Sequence, residues 1–186
     1  MLAKSFRRAQ RRMHARDTSG SAAIEFAMIA PVLFLFLFGI IETGVIFFAT
    51  AMLQNATDDT SRQIRTGQMS GALTASQIVA QVCSEIDGLI SASDCTSNLK
   101  VDLRAYSTFG ASSYPSVTKA NGTVDTNSLQ VQSVADCQVV LLRTFYAWNI
   151  MTPLMAPLLQ NTTTGQYLLS AAAAFRTEPY TSNSTC

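Results

Sequence analysis

The strongest constraint on the fold is a stretch of sixteen uncharged, mostly apolar residues between two carboxylates, Glu25 and Glu42. From Phe26 to Leu53 the only ionisable side chain is Glu42. A helix over this range would be ~42 Å long at 1.5 Å per residue, which exceeds a hydrocarbon core of ~30 Å. The stretch is therefore predicted to be a single membrane-spanning helix, with Phe26 to Val45 in lipid.

The two carboxylates fall at the two ends of this predicted span. Glu25 is expected at the inner edge and Glu42 near the outer edge, where it snorkels to water or is protonated, because a charge at the centre would cost roughly 2.5 to 3.5 kcal/mol. Seventeen helical residues separate them by ~25 Å and about 100° around the axis, so they do not form a catalytic pair. Pro31 predicts a kink or local loosening between Ala27 and Pro31.

A short basic arm precedes the span. It carries six of the thirteen basic residues, namely Lys4, Arg7, Arg8, Arg11, Arg12 and Arg16. Lys and Arg beside a span stay cytoplasmic, which predicts a cytoplasmic N-terminus and an exported C-terminal segment. The arm sits directly against the apolar run and contains one aromatic residue, Phe6, so nucleic acid is not the expected partner.

A cleaved secretory signal is the rival interpretation of the same region. The sequence Ala49-Thr50-Ala51 has the small residues that signal peptidase prefers. The apolar segment is longer than the usual signal core, however, and Glu42 interrupts the approach to the cut. A permanent anchor is the favoured interpretation.

The exported part reads as a small α+β domain. Helical spacing is predicted to continue to about Thr66, where Gly67 can end the helix. Thr74 and Gln77 form a capping box for a second helix that ends before Ser91. The predicted domain organisation is a basic leader at 1–20, a transmembrane and extended helix at 21–66, and a periplasmic domain at 67–186.

Three segments carry strand signals. Residues 99–106 alternate apolar and polar, which predicts one buried and one wet face. Residues 138–148 are apolar on both faces, as in a central strand, and 167–177 are predicted to pair with them. Residues 110–136 are predicted to be a long loop, and 149–165 a loop with at most one helical turn. The fold class is α+β, with one further helix and a three-stranded antiparallel sheet.

The chemistry-bearing residues do not form a catalytic constellation. The only histidine, His14, lies in the basic arm, so the exported domain has no histidine for a catalytic triad. The four cysteines, Cys83, Cys95, Cys137 and Cys186, contain no C-x-x-C pair and meet an oxidising compartment. Disulfides are therefore expected, and of three connectivities we favour 83 with 95 and 137 with 186. No enzyme activity, metal or cofactor is predicted.

The segment GSAAIEF at residues 20–26, after a basic leader and before a long apolar helix, resembles the cleavage region of type IV prepilins. The longer string from Gly20 through Leu33, with Gly39-Ile-Ile-Glu42 beyond it, resembles the TadE/TadG-like family of tight-adherence (Flp-type) pilus systems. The resemblance is strong over residues 17–66 and looser around 139–148, 152–154 and 168–180. One departure is Phe26, where the compared cut sites often have Tyr.

The resemblance implies a pseudopilin of a tight-adherence pilus used in cell adhesion. A prepilin peptidase would cut between Gly20 and Ser21, making Glu25 the fifth residue of the mature chain. Glu25 and Glu42 would be carboxylates of the assembly helix. The implied partners are other pseudopilins, the major pilin and the inner-membrane assembly platform. The implied location is the bacterial inner membrane, with the domain in the periplasm and possible association with the pilus.

A different class of function is also compatible with the sequence. The protein could be a membrane-anchored periplasmic binding domain unrelated to pili. Its ligand loop would then be the Ser/Thr/Asn/Gly-rich segment 110–136. A pilus component should lose piliation on Glu25→Ala, whereas a simple anchor should tolerate that change.

Overall fold

A computed structural model describes residues 19–69, 72–179 and 186. The basic arm and His14 lie outside these residues. The chain divides into two compact units, Met1–Ile40 and Ile41–Cys186. The helices and strands, in chain order, are α1 (Ser19–Arg65), α2 (Ala75–Glu85), α3 (Ala92–Asn98), β1 (Lys100–Tyr106), β2 (Val139–Asn149), α4 (Ala156–Leu159) and β3 (Gln166–Arg176).

Helix α1 ends where the sequence predicts. It is continuous through Pro31 to Arg65. Gly67 then adopts φ 77°, a conformation that glycine takes without a steric penalty. The amide of Gly67 donates to the Ile64 carbonyl at 3.2 Å, which satisfies one of the carbonyls left unpaired at the end of the helix.

Helix α2 begins with the predicted capping box. The Thr74 hydroxyl accepts from the Gln77 amide at 3.3 Å, and the Gln77 side chain accepts from the Thr74 amide at 3.0 Å. The helix ends at Glu85, and the short helix α3 follows, which the sequence interpretation missed. The sequence of helix α3, ASDCTSN, is mostly polar and has no apolar stripe, and Cys95 is its one buried residue.

The three strands form one antiparallel sheet in the order β1-β2-β3. This confirms the α+β prediction, with β2 in the centre. The alanine-rich β3 is a strand despite the intrinsic helix preference of alanine. It pairs with β2 along its whole length, with Leu142 opposite Ala173.

The second half of α1 runs along the sheet in the direction opposite to β2. Thr57 and Thr144 share a hydrogen bond of 2.7 Å between their hydroxyls. Farther along, the Arg65 carbonyl accepts from the Glu178 amide at 3.0 Å, beyond the end of β3. Between the helices and this face of the sheet lies the core, which includes Leu53, Ile64, Ile78, Val82, Leu103, Val140, Leu142 and Leu169.

Part of the other face of the sheet, around Arg143, is covered by the segment between β1 and β2, whose Pro115 carbonyl accepts from Arg143 at 2.7 Å. Its Gln130 carbonyl accepts from the Leu103 amide at 2.7 Å, and Val131 forms a parallel bridge with Leu103. Val117 and Val134 in this segment are buried. The prediction of a wet face on β1 is therefore wrong at Asp102, which is 0% exposed, because a folded loop rather than solvent lies over it.

Candidate membrane anchor and assembly site

The predicted processing site lies in the first turn of α1. Gly20 and Ser21 are exposed, and a methyl group added at Gly20 would contact nothing within 4 Å. The Ser21 hydroxyl donates to the Glu25 carboxylate at 3.0 Å, one turn along the helix. Glu25 is exposed, and its carboxylate lies beside Ser21, the first residue after the predicted cut.

Helix α1 presents a large apolar surface that none of the described residues of its own unit covers. The exposed apolar residues of residues 24–40 are Ile24, Phe26, Met28, Ile29, Val32, Leu33, Phe34, Phe36, Leu37, Phe38 and Ile40. Among the described residues, α1 is the one helix that is long and apolar enough to cross a membrane. Surface of this kind is stable in lipid but not in water.

Glu42 has a different environment from Glu25, and the expectation that it reaches water is wrong. It is 5% exposed. One carboxylate oxygen accepts from the Met151 amide at 2.9 Å, and the other accepts from the amide and the hydroxyl of Thr152 at 3.1 and 3.0 Å. Glu42 therefore holds the loop after β2 against α1.

The two carboxylates differ in burial and in their hydrogen-bond partners. Among the described residues, the exposed Glu25 side chain accepts one hydrogen bond, from Ser21 in its own helix. Glu42 is used inside the globular unit, where three donors offset the cost of burying a carboxylate. No short-range sequence pattern marks this difference, because the partners of Glu42 are more than a hundred positions away.

The cysteines form two disulfides, Cys83–Cys95 and Cys137–Cys186. These are the two pairs that the sequence favours. The first ties α2 to the short helix α3, and the second ties the start of β2 to the last residue of the chain. Among the described residues, no group of three or more His, Cys, Asp or Glu side chains could hold a metal ion.

A buried ionic cluster holds the covering loop to the sheet, and sequence reasoning missed it. Asp102 and Arg143 are paired across β1 and β2, with Arg143 Nη2 2.6 Å from the carboxylate. Arg104 and the Gln130 amide also donate to Asp102. Burial acts to raise the pKa of Asp102, but these hydrogen bonds and the Arg143 charge outweigh it, so the pKa lies below its ordinary value.

Arg143 also ties down the loop itself. Its Nη1 donates to the Pro115 carbonyl at 2.7 Å, and its guanidinium lies 4.6 Å from the centre of the Tyr114 ring. A cavity of about 420 Å³ adjoins these residues. The guanidinium that could attract an anionic ligand there is 1% exposed and already paired, so the cluster is structural.

These observations describe an α+β protein in which one of the described helices, α1, is long and apolar enough to anchor it in a membrane. Residues 20–62 match the family model described as TadE-like protein, which confirms the predicted resemblance. The matched segment starts at Gly20 and includes Ser21, Glu25 and Glu42. It ends within α1, so the match covers the anchor helix and none of the sheet. No curated protein and no solved structure matches the chain.

The match covers less than half of the chain, so it shows a likeness of the α1 segment to TadE-like proteins. It also agrees with the membrane anchoring indicated by the apolar surface of α1.

Proposed function

We propose that the protein is a pseudopilin-like component of a tight-adherence pilus system in the bacterial inner membrane. The family match over residues 20–62 carries this proposal, because it begins at the glycine of the predicted cut site. The basic arm is cytoplasmic, α1 crosses the membrane once, and the disulfide-bonded unit lies in the periplasm. The partners are other pseudopilins, the major pilin and the assembly platform.

A prepilin peptidase cuts between Gly20 and Ser21 in this proposal. Both residues are exposed and lie in the first turn of the helix, where few intrahelical hydrogen bonds must be broken to extend the backbone. Removing the leader also removes the basic residues that hold the N-terminus in the cytoplasm. The mature protein then starts with the ammonium group of Ser21.

Glu25 then acts as the assembly charge. Its carboxylate is within hydrogen-bonding distance of its own Ser21 side chain and is otherwise exposed. In an apolar contact between subunits an unpaired carboxylate would be costly, so a free ammonium group of a neighbouring subunit is a matching partner.

The N-terminal sequence of the protein purified from membranes tests the processing step. We expect it to begin at Ser21 when the peptidase is present and at Met1 when the peptidase gene is deleted. Gly20→Val should block the cut without harming the fold, because the space around Gly20 is open. A mature protein that retains the Met1 arm in the presence of peptidase would overturn this step.

Piliation tests the role of Glu25. We expect Glu25→Ala to abolish or strongly reduce pili while the protein remains inserted and folded. The matched control is Glu85→Ala, which removes an equally exposed carboxylate from α2. Normal piliation with Glu25→Ala would exclude the assembly role and favour a simple anchor.

A further inference from the structure

The loop between β2 and β3 exposes large apolar side chains in an uncharged segment. Met151, Leu154 and Leu158 are 70%, 72% and 75% exposed. No Asp, Glu, Lys or Arg occurs from Thr144 to Phe175. Three side chains of this size on one short loop are unfavourable in water and indicate a surface that contacts something apolar.

Most of the backbone amides of this loop donate hydrogen bonds. The amides of Met155, Leu158, Leu159 and Gln160 donate to carbonyls within the loop, at 2.9 to 3.0 Å. Pro153 and Pro157 have no amide hydrogen to satisfy. Leu159 packs against the core and fixes the loop, while Leu154 and Leu158 face outwards.

Glu42 fixes the position of the loop along α1. Its carboxylate accepts from the Met151 and Thr152 amides, so the loop lies beside a residue near the end of the predicted span. Ile41, Phe47 and Phe48 on the same helix are also exposed. The apolar side chains of the loop are therefore held beside the segment of α1 that contains Glu42, at the outer end of the predicted span.

We propose that this loop, residues 151–158, inserts Met151, Leu154 and Leu158 into the interface of the membrane that α1 spans. The proposal rests on the membrane anchoring in the proposed function but not on a role in pili. The partner is the lipid surface, because the loop is uncharged, four of its six backbone amides donate hydrogen bonds, and Glu42 holds it beside α1. The globular unit then touches the membrane at two places, α1 and the loop.

Labelling of the wild-type, full-length protein tests the proposal without any substitution. The protein would be reconstituted in phosphatidylethanolamine and phosphatidylglycerol vesicles containing a lipid-soluble diazirine, irradiated, digested and analysed by mass spectrometry. We expect label on residues 151–158 as well as on the span. Phe109 is the internal control, because it is 58% exposed but follows the opposite end of β1.

The control lies far from the loop. Tyr106, at the end of β1, pairs with Val139 at the start of β2, while Met151 follows the other end of β2. The eleven residues of β2 span roughly 33 Å at ~3.3 Å per residue. Label on the span with no more label on 151–158 than on Phe109 would overturn the proposal and leave the anchoring intact. An unlabelled span would instead contradict the anchoring.

Fluorescence gives a second, independent measurement. Leu154→Trp and Phe109→Trp would be compared in vesicles whose acyl chains are brominated near the headgroup, with the buried Trp148 as the same background in both. We expect quenching to be at least several-fold greater for Leu154→Trp. Equal quenching of the two variants would overturn the lipid contact. A Leu154→Trp signal that depends on protein density and not on bromine would also overturn it, and would instead indicate a contact with another copy of the chain.

Discussion

The contact between Glu42 and the loop after β2 can be broken with one substitution. Glu42→Ala removes the acceptor of three hydrogen bonds, two from backbone amides and one from the Thr152 hydroxyl. Hydrogen bonds to a charged group contribute about 1.5 to 3 kcal/mol each, but they are not additive. Met151 is exposed, so its released amide can bind water. We therefore expect a loss of about 3 kcal/mol of local stability.

Amide hydrogen exchange in the full-length protein in detergent micelles measures this loss directly. A loss of about 3 kcal/mol corresponds to about a hundredfold faster exchange, at about 1.4 kcal/mol per factor of ten. The acceleration should appear at Met151 and Thr152. Amides in the centre of β2 should change little, because the sheet does not depend on Glu42.

Two further variants make the experiment specific. Glu42→Gln preserves the shape of the side chain and one acceptor oxygen, but it places an NH2 group, which cannot accept, against one of the two backbone amides. We therefore expect an acceleration of exchange between those of the wild type and Glu42→Ala. Asp58→Ala is the matched control on the same helix, because Asp58 is exposed and accepts one side-chain hydrogen bond, from Gln54. Unchanged exchange at Met151 and Thr152 in Glu42→Ala, or equal acceleration throughout β2, would refute the reasoning.

Three other changes test the globular unit. Asp102→Asn should lower the free energy of unfolding by about 3 to 5 kcal/mol, because it leaves the buried Arg143 charge without its partner, whereas Asp125→Asn, at a half-buried surface ion pair, should change it by less than about 1 kcal/mol in denaturant titrations. The pKa of Asp102 is lower in the folded protein than in the unfolded chain, where it is about 3.9. Its contribution to the free energy of unfolding is therefore present above pH ~3.9 and is lost as the pH falls through the folded pKa. An acid titration in which Asp102→Asn and the wild type lose stability in parallel would contradict this. Gly122→Ala should destabilise more than Gly88→Ala, since both glycines have positive φ and cost about 1 to 2 kcal/mol as alanine, but only at Gly122 would the methyl group collide with the Asn161 backbone; equal melting temperatures would exclude that contact. Removing Cys137–Cys186 should cost about 4 kcal/mol and removing Cys83–Cys95 about 3 kcal/mol in the chain-entropy model, because the first closes the longer loop; paired Cys→Ser variants with the reverse order of stability would count against it.

The local elements were predictable where a short-range rule decides them. The capping box at Thr74 and Gln77, the end of α1 at Gly67 and the central position of β2 each follow from a few neighbouring residues. Helix α3 was missed because its residues are polar and its one buried side chain, Cys95, is held by a disulfide. No periodicity marks such a helix.

The sequence by itself determined the anchor, the family resemblance at Gly20 and the three-stranded sheet, because apolar length, a compact motif and alternation are properties of adjacent residues. The partners of Asp102 and Glu42 were decided only by the tertiary structure. Asp102 reads as a solvent-facing strand residue until Arg143 and the covering loop are brought over it. Glu42 reads as an interfacial carboxylate until Met151 and Thr152 turn their amides towards it. In both cases the deciding donors lie far away in sequence, and only the folded chain brings them within hydrogen-bonding distance.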